Sequence, residues 1–402
     1  MFLSATESRN RPLIEAAFAL HQAGRLSPDT YVVDRDAVDH NAAALAAAGA
    51  AHGVELWFVI KQIGRNPLLS RTIARHLPRA AAIDVHEADT LDAAGVALGN
   101  VGHLVQIPVR DLPRVLARRP RAVTVYDLEN LRAVAAESAR QGRVQDVLLR
   151  MAGDPSSTYP GQEGGFAPDD VAAVHRAAAG MTGVRIAGVT GFPCLLFGPD
   201  GTPEPTPTLR QVLAAADTLR SLGVPDVLVD LPSGSSVATI AELAAWGATH
   251  AEPGHALTGT TPQHAHDLTL PEVPAMVYLT EIAQHCGADR PRVFGGGFYP
   301  RGQVRSALVR TATGDLHTGV LPGPAENIDY YRTLDPRRED AARIHVGDPV
   351  IMAFRTQVFV TRSRLAVVSG LRDGRPRIDG VFDALGRPLD EAAVAACAEV
   401  AR

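Results

Sequence analysis

Two kinds of apolar pattern alternate along the chain from about residue 30 to residue 262. Short continuous runs of Val, Ile and Leu give way to longer Ala-, Leu- and Arg-rich stretches, over and over. The first kind suits buried strands and the second suits helices. This reading places strands at 57–60, 80–84, 104–107, 122–125, 147–151, 184–189, 227–230 and 249–251. It places helices at 68–76, 87–95, 112–118, 128–140, 168–179, 209–222 and 237–246. Eight strands alternating with helices predict a closed, TIM-like (β/α)8 barrel rather than an open sheet.

Near residue 262 the pattern changes. Helical stretches become rare, and β-like runs follow at 275–281, 292–294, 306–310, 349–354, 357–361 and 365–369, punctuated by Gly and Pro. The expected organisation is a helical extension over 1–29, with an amphipathic stretch at 8–25, then a barrel over 30–262 and a β-rich C-terminal domain over 263–402. Tyr31-Val32-Val33-Asp34 either pairs with that last domain or leads into the barrel.

Composition removes several classes of function. The formal net charge is −5, so there is no basic footprint for nucleic acid. Apolar runs such as Leu56-Trp57-Phe58-Val59-Ile60 are too short to span a bilayer. The first residues show no basic segment followed by an apolar one, so no secretory signal is expected. Cys194, Cys286 and Cys397 match no disulfide framework and no zinc spacing, and a reducing, cytoplasmic setting is expected.

One count changes the picture. Lys and Arg total 39, yet the chain has a single lysine, Lys61, which leaves 38 arginines. Where a positive charge suffices, arginine has taken the position. Arginine cannot act as an amine nucleophile, whereas a desolvated lysine can form a Schiff base. Lys61 ends the apolar run of the first barrel strand, an odd place for a solvated surface lysine.

Active residues of such barrels lie in the loops after the strands. Arg65, in the loop after Lys61, is either a solvated loop arginine or an anion partner. After strand seven come Ser233-Gly234-Ser235-Ser236 and a helix: an ordinary serine N-cap, or a phosphate cradle at a helix N-terminus. After strand eight come Glu252-Pro253-Gly254-His255. Glu252 is either a solvated acid or the partner of a buried cationic nitrogen, and Gly254 permits close approach to a phosphate. Gln162 and Glu163 lie in a glycine-rich loop after strand five that suits substrate contact. Cys194, after strand six, reads as a packing residue more readily than as a reactive thiol. His264-Ala265-His266 lacks a third ligand and reads as a loop, so no metal is expected. A Schiff-base lysine, a phosphate cradle and an acid for a ring nitrogen are together the parts that hold pyridoxal 5′-phosphate.

These residues resemble the alanine racemase-like, fold-type III enzymes that use this cofactor. Tyr31-Val32-Val33-Asp34 with Asn41 looks like the first strand and helix of that family, and Val59-Ile60-Lys61 like its cofactor-lysine segment. The segments at 159–166, 191–194 and 354–357 are closest to its YhfX-type subgroup. The resemblance implies that Lys61 carries the cofactor as a Schiff base. It implies that Arg65, 233–236, Gly254 and His255 surround the phosphate. Two departures matter. Alanine racemases place an arginine against the pyridine nitrogen, where this chain has Glu252, as in the ornithine and diaminopimelate decarboxylase branch. A carboxylate keeps the ring protonated and makes it a stronger electron sink. The usual substrate-carboxylate arginine is also missing, with Gln162 and Glu163 near its place. The resemblance implies an amino-acid racemase for a substrate other than alanine, with Tyr299 as the nearest second base, working as a homodimer with shared active sites. A decarboxylase, a lyase or aldolase, and a non-catalytic carrier of the cofactor are the alternatives.

Overall fold

In the computed structural model, residues 1–389 are described apart from 288, 289, 300, 301 and 325. Cys397, Pro300 and Arg301 lie outside the described residues. The chain forms two compact units that do not follow chain order. One comprises Ala42–Ile60 and Ser70–Ala256, the other Met1–Asn41, Lys61–Leu69 and Leu257–Arg402.

Strand β1 (Thr30–Asp34) belongs to the second unit. The first unit holds β2 (Glu55–Leu56), β3 (Arg79–Ala82), β4 (Ala97–Val101), β5 (Ala122–Val125), β6 (Gln145–Arg150) and β7 (Val184–Thr190). After a small hairpin, β8 (Leu195–Phe197) with β9 (Pro203–Pro205), come β10 (Leu228–Asp230) and β11 (His250–Ala251). Eight of these run parallel in the order β2-β11-β10-β7-β6-β5-β4-β3. A further parallel bridge, Phe58 to Ala80, joins the two ends, with Ala81 N–H donating to Phe58 O at 2.9 Å. The sheet is therefore a closed barrel, as the alternation predicts. Its interior is filled by Trp57, Val59, Ala81, Ala122, Leu148, Ala187 and Leu228. The outer helices present apolar faces inward. Leu128–Arg140, capped by Asp127 accepting from Asn130 N–H at 2.8 Å, buries Leu131, Val134 and Ala135.

The third barrel strand is not at 104–107 but at Ala97–Val101. Its sequence, Ala-Leu-Gly-Asn-Val, has low β propensity because packing set the choice. A Cβ at Gly99 would stand 2.5 Å from Trp57 Cγ, so only glycine fits beside that ring. Gly102, at φ +91, ends the strand and leaves the more β-like run beyond it in the loop.

The second unit contains β12 (Met276–His285), β13 (Pro291–Phe294), β14 (Ser306–Thr311), β15 (Gly314–Val320), β16 (Tyr331–Asp335), β17 (Pro349–Met352), β18 (Arg364–Ser369) and β19 (Arg377–Phe382). The order is β13-β16-β15-β14-β17-β12-β1-β18-β19, and β13 also pairs with β12. Six strands thus close into an antiparallel barrel, from which β1, β18 and β19 extend. The run at 357–361 is a short 3-10 turn, Val358–Val360, rather than a strand. Tyr31 to Asp34 takes the first of its two alternatives: it pairs antiparallel with β12 and parallel with β18.

Burial ties the N-terminal segment to the C-terminal strands. The helix Arg11–Gln22 sets Leu13, Ile14, Ala17 and Phe18 into one apolar cluster with Val32, Val277, Leu279, Leu308 and Ile351. The N-terminal segment is the cover of the C-terminal sheet.

Replacing Gly99 by Ala is expected to destabilise the fold by about 1–3 kcal/mol through overpacking against Trp57. Urea unfolding of parent and variant, compared at equal m value, checks this.

Candidate active site

Every second residue of a barrel strand faces inward. Leu148 and Leu228 belong to the interior layer. Arg150 and Asp230, two residues further on, therefore face inward one layer higher. Thr190 is in register with both. Thr124 follows Ala122 by the same step, Asn100 lies at the end of β4, and Glu252 directly follows β11. These strand ends deliver Asn100, Thr124, Arg150, Thr190, Asp230 and Glu252, all buried. The barrel is apolar through its interior and polar at its C-terminal mouth.

Burial forces these groups to answer one another. Thr124 Oγ1 donates to Asn100 Oδ1 at 2.9 Å, and Asn100 Nδ2 donates to Glu252 Oε1 at 3.2 Å. His103 Nδ1 lies 3.7 Å from Glu252 Oε2. Thr190 Oγ1 donates to Asp230 Oδ2 at 2.9 Å. Donor atoms of His103, Asp230 and Glu252 all lie within 4.8 Å of one another. Burial pushes the Asp230 carboxyl up, against the opposing pull of His250 and Thr190.

Arg150 is only 1% exposed. Its Nη2 donates to the carbonyls of Gln162 at 3.1 Å and Phe192 at 3.2 Å, tying together the loops after β6 and β7. Its Nε and Nη1 are buried without a hydrogen-bond partner. Burial pulls the guanidinium below its usual range. Tyr126, whose ring centre is 5.8 Å from Arg150 Cζ, donates to His103 O at 2.7 Å, and burial pushes its phenol up to about 12.

The loop after β10 is built around Gly234. At φ +66, with a Cβ that would stand 2.4 Å from Leu195 Cδ2, this position admits only glycine. Ser236 is the N-cap residue of the helix Val237–Ala245, and its N–H donates to Thr239 Oγ1 at 2.9 Å. The N-cap reading is thus realised, and the first-turn N–H groups that make an anion cradle belong to the same element. Ser233 Oγ accepts from Cys194 N–H at 2.7 Å, and Ser235 Oγ donates to Pro232 O at 3.5 Å. Pro253 O accepts from Val59 N–H at 2.9 Å, which pins the Glu252-Pro253-Gly254 turn to the first barrel strand. His255 is half-buried at the start of the 3-10 turn His255–Thr258.

Other expected residues sit differently. Glu163 is exposed, its Oε1 accepting from Gly161 N–H in its own loop, and Gln162 engages Arg150 through its backbone. Cys194 is fully buried, its thiol donating to Gly191 O at 3.2 Å, and burial pushes that thiol up. It packs, in line with the reading the sequence favours.

Lys61, Arg65 and Tyr299 fall in the second unit. Lys61, half-buried, opens the 3-10 turn Lys61–Ile63, two residues beyond Val59. Arg65 is buried at φ +51, with its guanidinium 5.0 Å from the Phe359 ring. Tyr299 is half-buried and lines a cavity of about 630 Å³ with Arg305, Asn327 and Arg332. His264 is buried beside Thr261 Oγ1 at 2.6 Å and Glu272 at 3.3 Å, a structural placement.

The profile of the alanine racemase N-terminal domain matches residues 33–262, and that of the YhfX-like C-terminal domain matches residues 277–378. The chain belongs to the alanine racemase-like family. It is 38% identical over 397 residues to the uncharacterized protein YhfX of Escherichia coli (strain K12), which covers 97% of this chain and 100% of that protein. Among solved structures it is similar to D-threonine aldolase from Filomicrobium marinum, with TM-score 0.64, 16% identity, and coverage of 89% of this chain and 95% of that one. It is likewise similar to alanine racemase of Clostridium difficile 630, with TM-score 0.64, 15% identity, and coverage of 89% and 99%. These likenesses show the fold. Members of the family are dimeric enzymes of small amino-acid substrates, and pyridoxal 5′-phosphate is their cofactor. The residues present fit that group: a buried carboxylate, a buried guanidinium with two unsatisfied nitrogens, and a glycine turn at a helix N-terminus. No helix among the described residues is long and apolar enough to cross a membrane.

Arg150→Met removes a buried charge with two unsatisfied nitrogens. In the ligand-free protein it is expected to leave stability equal or higher, by up to about 4 kcal/mol. A thermal melt of ligand-free parent and variant reads this directly.

Proposed function

We propose that this chain is a pyridoxal-phosphate-dependent amino-acid racemase whose substrate is not alanine. When bound, the cofactor withdraws electrons from the α-carbon of an amino acid joined to it through the amine. Lys61 holds the cofactor and then serves as the base at the α-carbon. Arg65, Ser233, Gly234, Ser235, Ser236, Gly254 and His255 receive the phosphate. Tyr299, from the β domain of a second copy, is the base for the opposite face. The observation that carries this reading is Glu252. It is buried, hydrogen-bonded by Asn100 and 3.7 Å from His103 Nδ1, directly after the eighth barrel strand. A carboxylate fixed there keeps a ring nitrogen protonated.

The same carboxylate supports a second reading. A strongly electron-withdrawing ring stabilises the carbanion left by decarboxylation or by aldol cleavage as well as the one left by proton loss. The likeness in fold to an aldolase is consistent with a lyase.

Incubating the enzyme with the cofactor and a panel of amino acids in deuterium oxide separates the readings. A racemase exchanges the α-hydrogen and loses optical rotation without releasing carbon dioxide or an aldehyde. Release of either at the rate of exchange makes the protein a lyase. Lys61→Ala is expected to lower the exchange rate by roughly 10²–10⁴ or more.

A further inference from the structure

Asp230 is fully buried, at the last position of β10. Oδ2 has its donor in Thr190, but Oδ1 has no hydrogen-bond partner in the ionised form. A buried carboxylate oxygen left this way is costly. Glu252 is an acidic neighbour, with one carboxylate oxygen within 4.8 Å of one of Asp230's. Two ionised carboxylates are both acceptors and cannot bond each other. One proton between them makes the bond, satisfies Oδ1 and removes the repulsion of like charges.

We propose that Asp230 and Glu252 share a single proton at neutral pH, carried on Asp230 Oδ1 and donated to Glu252. Asp230 is then a positioning residue. It aims Glu252 and leaves that side chain as the one carboxylate of the pair. This deepens the reading of Glu252 as the partner of a ring nitrogen and rests on it for its purpose. The proton-sharing itself belongs to the ligand-free protein. A pair carrying one negative charge matches one protonated ring nitrogen, whereas two charges buried together would not be neutralised by it.

The groups that face Asp230 are Thr190, His250, Glu252, Arg150, Cys194 and His103. The charges of His250 and Arg150 and the hydrogen bonds of Thr190 and Glu252 oppose protonation of Asp230, while burial favours it. Burial comes first among these influences. The asymmetry of the two acids has a structural source. Asn100 Nδ2 already donates to Glu252 and stabilises its charge, while Asp230 is served only by a hydroxyl.

Infrared spectroscopy of the full-length, ligand-free protein tests this without the cofactor. The carbonyl stretch of a protonated carboxyl is expected at pH 7, well above the range in which ordinary aspartates lose their proton. It should vanish in Asp230→Asn, whose amide replaces the shared proton as donor to Glu252 and preserves the melting temperature. In Glu252→Gln the band should titrate at lower pH, because the amide donates to Asp230 and the repulsion is gone. A band absent from the parent at pH 7, or one that survives unchanged in both variants, overturns the proposal. Failure of the cofactor reading would leave this result untouched. The role toward the ring is read separately, from the pH dependence of pyridoxal phosphate binding, which should flatten in Asp230→Asn. Unaltered pH dependence in a folded Asp230→Asn overturns the positioning role.

Discussion

A closed parallel barrel confines whatever its strands place at the mouth. Side chains of the upper interior layer cannot turn to solvent as they do on a sheet edge; they must satisfy one another or a ligand. In this chain the layer is polar, from Asn100 and Thr124 through Arg150, Thr190 and Asp230 to Glu252. The chain from Thr124 through Asn100 to Glu252 fixes the carboxylate on one side. Arg150 bridges two loops on another and keeps two nitrogens unsatisfied. Such a layer costs stability on its own.

The second unit solves a different problem. Its antiparallel strands close a barrel of their own, and β1 extends that sheet between β12 and β18. A strand from the far end of the chain is thereby locked into the C-terminal sheet, and the helix Arg11–Gln22 seals it with Leu13, Ile14 and Phe18. The segment Lys61–Leu69 belongs to the same unit, although the sequence on either side of it belongs to the barrel. The lone lysine thus leaves the barrel strand and immediately joins the other unit.

Much of this was legible from residues alone. Helix 128–140 and strand 122–125 fall where the apolar pattern places them, because there local propensity and tertiary packing agree. The third barrel strand was not legible, since Gly99 was selected by the Trp57 ring rather than by β propensity. Strands 314–320, 331–335 and 377–382 were hidden because they are half-exposed and rich in Gly, Asp, Arg and Thr. Of the residues expected to act, Lys61, Glu252 and Gly234 announce themselves by rarity or by position. Arg150 and Asp230 did not, yet a signal existed: a charged residue two positions after an interior apolar one, at the very end of a buried strand. Asn100, Thr124 and Thr190 carry the same signal more faintly, being small and neutral.

The proposed function rests above all on the single lysine as the amine that holds the cofactor. Besides the chain's α-amine, Lys61 is the only amine in the sequence. The protein loaded with pyridoxal phosphate should therefore be reduced with borohydride and its peptides weighed. A visible absorption band that disappears on reduction is expected, with a pyridoxyl group on the peptide containing Lys61. An unmodified Lys61 after reduction in excess cofactor would contradict it.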